Sequence, residues 1–78
     1  MTKSEFFELV AEIAETSPAD LQDDTLLSSL EGWDSLSVVG FIAAVDRQLH
    51  FTPPPADIVK ATTIGDLVHL VQHRLAGQ

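Results

Sequence analysis

The chain has 78 residues, with 12 Asp and Glu against four Lys and Arg, which gives a formal net charge of −8 at pH 7. This charge opposes binding to a phosphate backbone or to an anionic membrane surface, so we do not expect nucleic acid as a partner. The chain has no cysteine, and it therefore has no disulfide, thiolate metal site or thiol nucleophile of its own. No apolar run approaches the ~20 residues that span a bilayer, so we expect no membrane insertion and a cytoplasmic location.

The length is enough for one small hydrophobic core, so residues 1–78 are expected to form a single domain. The sequence begins with Met1, and its last apolar period ends close to the C-terminus. We therefore expect a free-standing protein.

The first predicted element is a helix over about residues 4–15. Its apolar side chains recur at helical spacing at Phe6, Val10, Ile13 and Ala14. Thr2-x-x-Glu5 is a candidate capping box at its start. Ser17-Pro18 is expected to end it, because proline disfavours helical geometry in the preceding residue.

A long loop is predicted over residues 18–34, and it mixes acidic residues with leucines. The acidic residues are Asp20, Asp23, Asp24 and Glu31, and the leucines are Leu21, Leu26, Leu27 and Leu30. Loops longer than about 12–15 residues are usually functional or disordered. Since the leucines favour order, we expect a loop that packs over the core and contains one short helical turn.

The second predicted helix is Ser35–Leu49. Its apolar stripe consists of Val38, Phe41, Ile42, Val45 and Leu49. Prolines 53–55 then stiffen a connection to a short helix at Ala56–Lys60, whose first turn tolerates Pro55.

The last predicted helix is capped by Thr63-x-x-Asp66 and ends at Gly77. Its buried stripe is Ile64, Leu67, Val68, Val71 and Leu75. No segment shows the alternation of a half-buried strand. The predicted fold is all-α, a small four-helix bundle with three main helices, a short third helix and a long loop between helices one and two.

The residues that precede helix two form a candidate functional motif. Gly32 permits a turn, Asp34 can cap the helix, and Ser35 then falls in its first turn. An anionic group esterified to this hydroxyl would be favoured by free N–H groups and by the helix dipole, by about 0.3–1 kcal/mol when exposed. The alternative is that Asp34-Ser35 only caps a helix.

The chain resembles the acyl carrier protein family over essentially its whole length, and Asp34-Ser35-Leu36 matches the family's Asp-Ser-Leu motif. The resemblance implies that Ser35 receives 4′-phosphopantetheine from coenzyme A through a magnesium-dependent phosphopantetheinyl transferase. It implies that Asp34 and Leu36, which flank the serine, serve in helix capping and in docking of the transferase and synthase.

The resemblance also implies a carrier of acyl thioesters for fatty-acid, lipid or polyketide-type biosynthesis that catalyses nothing itself. Its partners would be an acyl ligase or acyltransferase and synthase enzymes, which a monomer could visit in turn. Two alternatives stay open. One is a peptidyl or aminoacyl carrier, and the other is an unmodified acidic helical adaptor that binds a protein partner.

Helix two has a second apolar stripe at Leu36, Val39 and Ala43, which we interpret as a candidate partner surface together with Asp46 and Arg47. The alternative is that helix two is buried on a broad face. Carriers of fatty-acid synthesis have several acidic residues on this helix, whereas Asp46 is the only one here. This difference favours a dedicated pathway.

No metal site is expected. His69 and His73 have the i, i+4 spacing of a zinc pair but lack an intervening glutamate, so they and His50 are predicted to face solvent. The acidic residues of the long loop, Asp20, Asp23 and Asp24, lack the spacing of a calcium loop.

Overall fold

A computed structural model describes residues 1–75 and contains four α-helices. They are α1 (Lys3–Ile13), α2 (Ser35–Leu49), α3 (Pro55–Lys60) and α4 (Ile64–Val71). Short 3₁₀ turns lie at Pro18–Asp20, Leu27–Ser29 and Gln72–Arg74. Within these residues there is no strand, only an isolated bridge between Leu26 and Thr63, so the prediction of a small all-α bundle is confirmed. None of the described helices is long and apolar enough to cross a bilayer.

Aromatic packing between α1 and α2 lies at the centre of the core. Phe6 and Phe41 are fully buried, and their rings meet edge to face with centroids 5.7 Å apart. Trp33 also meets Phe41 edge to face at 5.7 Å. Each such pair contributes about 0.5–1.5 kcal/mol beyond the area that it buries. The other large side chains that are fully buried are Val10, Val45, Pro53, Ile58, Ile64, Leu67 and Val71.

Helix α1 ends before the predicted position, and Pro18 is not the reason. Glu15 adopts a left-handed conformation with φ 57°, and the N–H of Thr16 donates to the carbonyl oxygen of Ala11 at 2.9 Å. This is a Schellman motif, which satisfies the last carbonyls of a helix and turns the chain away from its axis. Pro18 instead begins a 3₁₀ turn.

Helix α4 is shorter than predicted, because the chain tightens into a 3₁₀ turn after Val71. The predicted stripe is correct up to Val71, but Leu75 lies beyond the helix and is only half-buried. This turn packs against Phe51. The His73 ring meets the Phe51 ring edge to face with centroids 4.9 Å apart, and the Arg74 guanidinium lies over the Phe51 ring at 5.6 Å. Gly77, the predicted helix end, lies outside the described residues.

The long loop packs on the core, as predicted, with two 3₁₀ turns rather than one. Leu21 and Leu27 are buried and Leu30 is half-buried, whereas Leu26 is exposed. Leu26 is therefore the one leucine of this loop whose side chain does not pack on the core. Its backbone has a different role, because it pairs with Thr63 at the start of α4.

Backbone hydrogen bonds also tie this loop to the first turn of α4. The N–H of Ile64 donates to the carbonyl oxygen of Thr25 at 3.1 Å, and the N–H of Gly65 donates to that of Asp23 at 2.8 Å. The first N–H groups of a helix have no partner within it. The loop supplies those partners and is itself fixed in place.

Gly32 lies in a turn, as predicted, in which the N–H of Trp33 donates to the carbonyl oxygen of Leu30 at 3.0 Å. It is also required for a close approach. Its φ is not left-handed, but a Cβ at this position would overlap the carbonyl oxygen of Ala14. Only glycine therefore lets the end of the long loop lie against the end of α1.

We expect Gly32→Ala to lower the free energy of unfolding by about 1–3 kcal/mol, because the methyl group forces loop and helix apart. Urea denaturation measures the change. Gly40→Ala is the matched control, since Gly40 lies in α2 and a Cβ there meets no atom within 4 Å. It should stabilise the chain by up to about 1 kcal/mol. Equal effects of both substitutions would contradict the packing role of Gly32.

Candidate functional site

The N-terminus of α2 is fixed by Asp34 and Ser37. Asp34 is the N-cap, as predicted, and its Oδ1 accepts a hydrogen bond from the N–H of Ser37 at 3.0 Å. The Ser37 hydroxyl donates to the carbonyl oxygen of Gly32 and also lies 3.1 Å from Asp34 Oδ1. One side chain thus ties the first turn of α2 to the loop before it.

Ser35 and Ser37 occupy opposite environments although one residue separates them. Ser37 is only 8% exposed, and its hydroxyl is hydrogen-bonded. Ser35 is the first residue of α2, is exposed, and has a hydroxyl that makes no hydrogen bond within residues 1–75. A modifying enzyme can therefore reach the hydroxyl of Ser35 but not that of Ser37.

A groove of about 440 Å³ opens beside Ser35, between the long loop, α2 and α3. Its lining is mostly apolar and includes Trp33, Val38, Ile58 and Val59. Val59 is 74% exposed, so a large apolar side chain borders the groove from α3. The sequence analysis did not identify this groove, since it depends on how α3 packs against α2.

The second stripe of α2 faces away from the core, as predicted. Leu36 is 81% exposed and Val39 is 64% exposed, and Ala43 is exposed as well. The alternative of a helix buried on a broad face is therefore wrong for these positions.

The two charged residues near the end of this stripe differ in their contacts. Asp46 Oδ1 accepts a hydrogen bond from the Thr52 hydroxyl at 3.0 Å. Arg47 is exposed and forms no ion pair with any residue between 1 and 75.

The cap of α2 also has an electrostatic signature. The backbone N–H and then the hydroxyl of Ser37 donate to the Asp34 carboxylate and hold its pKa below the usual value. The same cause, hydrogen bonds at a helix start, lowers the pKa of Glu5 through Thr2 and that of Asp66 through Thr62 and Thr63. The folded state therefore favours the anionic form of each of these three carboxylates.

The histidines are exposed, as predicted. His69 Nδ1 lies 3.4 Å from Gln72 Nε2, and His73 packs against Phe51. Across residues 1–75, no three or more His, Cys, Asp or Glu side chains are grouped to hold a metal ion.

Ser37 is the residue of this site that the sequence analysis missed. The spacing Asp34-x-x-Ser37 could have indicated its role, because an N-cap side chain accepts a hydrogen bond from the backbone N–H three positions later. Buried polar side chains in such a position are normally hydrogen-bonded, so the serine could have been assigned to the cap.

We predict that Asp34→Asn makes stability less dependent on pH under acid conditions. Because the pKa of Asp34 is lowered on folding, its carboxylate stabilises the fold above the ordinary value of 3.8, and this contribution disappears as pH falls through the lower folded pKa. Asparagine keeps the cap acceptor but does not titrate there.

The measurement is the urea midpoint between about pH 5 and pH 2.5, a range that includes the ordinary value of 3.8 and extends below it. The unaltered chain should lose more stability than the variant. Asp24→Asn is the control, since this exposed carboxylate makes no hydrogen bond within residues 1–75. Identical pH profiles for Asp34→Asn and the unaltered chain would contradict the prediction.

Comparison with known proteins places this geometry in a family. A family model described as "Phosphopantetheine attachment site" matches residues 4–71, from the first turn of α1 to the end of α4. No curated protein matches the chain. The match covers most of the chain and includes the exposed serine at the start of α2. The chain therefore belongs to the phosphopantetheine-attachment family of carrier domains, whose members carry a covalently attached 4′-phosphopantetheine.

Proposed function

We propose that this chain is an acyl carrier protein that bears its 4′-phosphopantetheine on Ser35 Oγ. The observation that carries the proposal is the contrast between two neighbouring serines. Ser35 is exposed with a free hydroxyl among the described residues, whereas Ser37 is buried and hydrogen-bonded. Esterification needs an accessible hydroxyl, and Ser35 also lies within the matched residues 4–71.

The surroundings of Ser35 fit a phosphodiester. Asp34 Oδ1 accepts from the N–H of Ser37, and the N–H of Ser35 at the helix start makes no hydrogen bond within residues 1–75, so it is available to an anion. The positive end of a helix dipole stabilises an exposed anion by about 0.3–1 kcal/mol. This location offsets part of the repulsion between the phosphodiester and the Asp34 carboxylate.

The groove beside Ser35 supports acyl rather than aminoacyl cargo. Trp33, Val38 and Val59 line it, and such side chains favour hydrocarbon because burying apolar surface removes it from water. When bound, the cofactor supplies a terminal thiol that holds cargo as a thioester. The chain itself has no cysteine, so this thiol comes with the cofactor. We assign the chain no catalytic residue and place the chemistry in partner enzymes.

The partners that we propose are a phosphopantetheinyl transferase, an acyl ligase or acyltransferase, and synthase enzymes. Within fatty-acid, lipid or polyketide-type biosynthesis, a dedicated pathway is favoured over ordinary fatty-acid synthesis, because α2 offers a single acidic residue, Asp46, and Thr52 already contacts it. We further propose that residues 1–78 act as one monomeric domain.

Intact mass after incubation with coenzyme A, Mg²⁺ and a broad-specificity phosphopantetheinyl transferase tests the attachment. We expect the unaltered chain to gain one phosphopantetheinyl group and Ser35→Ala to gain none. Ser28→Ala is the matched control, because Ser28 is an exposed serine on the same groove. It should be modified like the unaltered chain.

Circular dichroism of each variant shows whether the helices are intact. A folded, unmodified wild-type chain after treatment with several transferases would contradict the carrier role and favour a helical adaptor. Modification of the Ser35→Ala variant would refute the assigned site while leaving the carrier role in place.

A further inference from the structure

Trp33 brings one polar hydrogen to the largely apolar groove beside Ser35. Its indole lines the groove together with Val38 of α2 and Val59 of α3. The ring is held in place, because it meets Phe41 edge to face with centroids 5.7 Å apart. Phenylalanine could provide the same ring contact, so the feature that only tryptophan adds at this position is an N–H donor.

The Trp33 Nε1–H is not used within the fold. It has no hydrogen-bond partner within residues 1–75, where every buried side-chain N or O atom has one. The Nε1–H is therefore not fully buried and reaches solvent. Because an indole N–H is only a donor, the molecule that replaces this solvent has to supply an acceptor.

The other polar residues of the groove lining are in a different situation. Ser28, Asp34 and Ser35 are exposed, and their side chains keep contact with water when a molecule lies in the groove. Trp33 is half-buried, so a molecule that covers the groove removes water from its N–H. An unpaired donor is unfavourable once its water is lost, and Trp33 is therefore the lining residue that discriminates between cargos.

We infer that Trp33 selects an acyl cargo whose chain carries a neutral oxygen, as a keto or hydroxyl group. The oxygen accepts a hydrogen bond from the Trp33 Nε1–H, while the hydrocarbon part of the chain contacts Val38 and Val59. A saturated chain in the same place covers the N–H without giving it a partner. The inference rests on the proposed function, because it names the cargo class for an arm attached to Ser35.

Charge excludes two other kinds of polar cargo. A carboxylate on the chain would lie near the Asp34 carboxylate, and no Lys, Arg or His lines the groove to pair with it. An ammonium group has no lone pair to accept from the indole N–H. The oxygen that fits Trp33 is therefore uncharged.

The fluorescence of Trp33 tests the inference directly, because the chain has one tryptophan and no tyrosine. A phosphopantetheinyl transferase loads the unaltered chain from coenzyme A and from its octanoyl, 3-oxooctanoyl and 5-oxooctanoyl thioesters. Intact mass verifies that each form is fully loaded. Acrylamide quenching then measures how far each cargo shields the indole.

We expect at least one oxo form to have an acrylamide quenching constant about twofold or more below that of the octanoyl form. The form with the bare arm should stay close to the unmodified chain. The same oxo form should have a urea midpoint about 0.5–1 M above that of the octanoyl form, which is the shift that one net hydrogen bond produces in a small protein.

Two variants separate the N–H from the rest of the groove. Trp33→Phe keeps a ring beside Phe41 but lacks the donor, and it should abolish the difference in urea midpoint between the oxo and octanoyl forms. Val59→Ala is the matched control, since Val59 lines the same groove and contributes no polar group. It should keep that difference. Comparing two cargos on one variant cancels any general change in stability.

An octanoyl form that shields Trp33 as well as both oxo forms would overturn the inference, as would a Trp33→Phe variant that keeps the full difference in midpoint. A bare arm that shields the indole as strongly as an oxo chain would also overturn it, because the acceptor would then belong to the arm. In each of these cases the gain in mass leaves the carrier role intact. An unaltered chain that gains no mass would overturn the proposed function and this inference with it.

Discussion

Gly32 lies where the end of the long loop meets the end of α1, and its lack of a side chain lets the two backbones touch. Its Cα hydrogen occupies the space beside the Ala14 carbonyl that a methyl group would need. Its own carbonyl oxygen accepts the Ser37 hydroxyl. The start of α2 is therefore positioned relative to α1 by one residue, and Trp33, which follows it, extends the contact to Phe41 in the core.

Within residues 34–37, the side chains that cap α2 differ from those that stay exposed. Asp34 and Ser37 satisfy the backbone and each other, while Ser35 and Leu36 are left exposed. A serine in the first turn of a helix has free N–H groups beside it, which suit an attached phosphodiester. The apolar groove and the exposed stripe of Leu36, Val39 and Ala43 lie on different sides of the motif, so we propose that cargo and partner approach from different directions.

Much of this fold follows from local patterns in the sequence. Capping-box spacing predicted the Thr2 and Thr63 caps. Periodicity predicted the Ser35–Leu49 helix and the exposed stripe from Leu36 to Ala43, because these features also depend on neighbouring residues. The ends of α1 and α4 were wrong, because a left-handed Glu15 and the packing of His73 and Arg74 on Phe51 depend on tertiary contacts. The same limit applies to the site. Ser35 could be chosen from its motif, but the groove that Val59 borders required the packed structure.

We propose that the fold leaves the Ser35 hydroxyl free to carry the phosphopantetheine arm and uses the Ser37 hydroxyl in the cap of α2. The most direct test is to locate the arm on the unaltered chain, by fragmenting its modified peptides in tandem mass spectrometry. We predict that fragments containing Ser35 but not Ser37 carry the added mass. An arm on Ser37, on Ser28 or on any other residue would contradict the account.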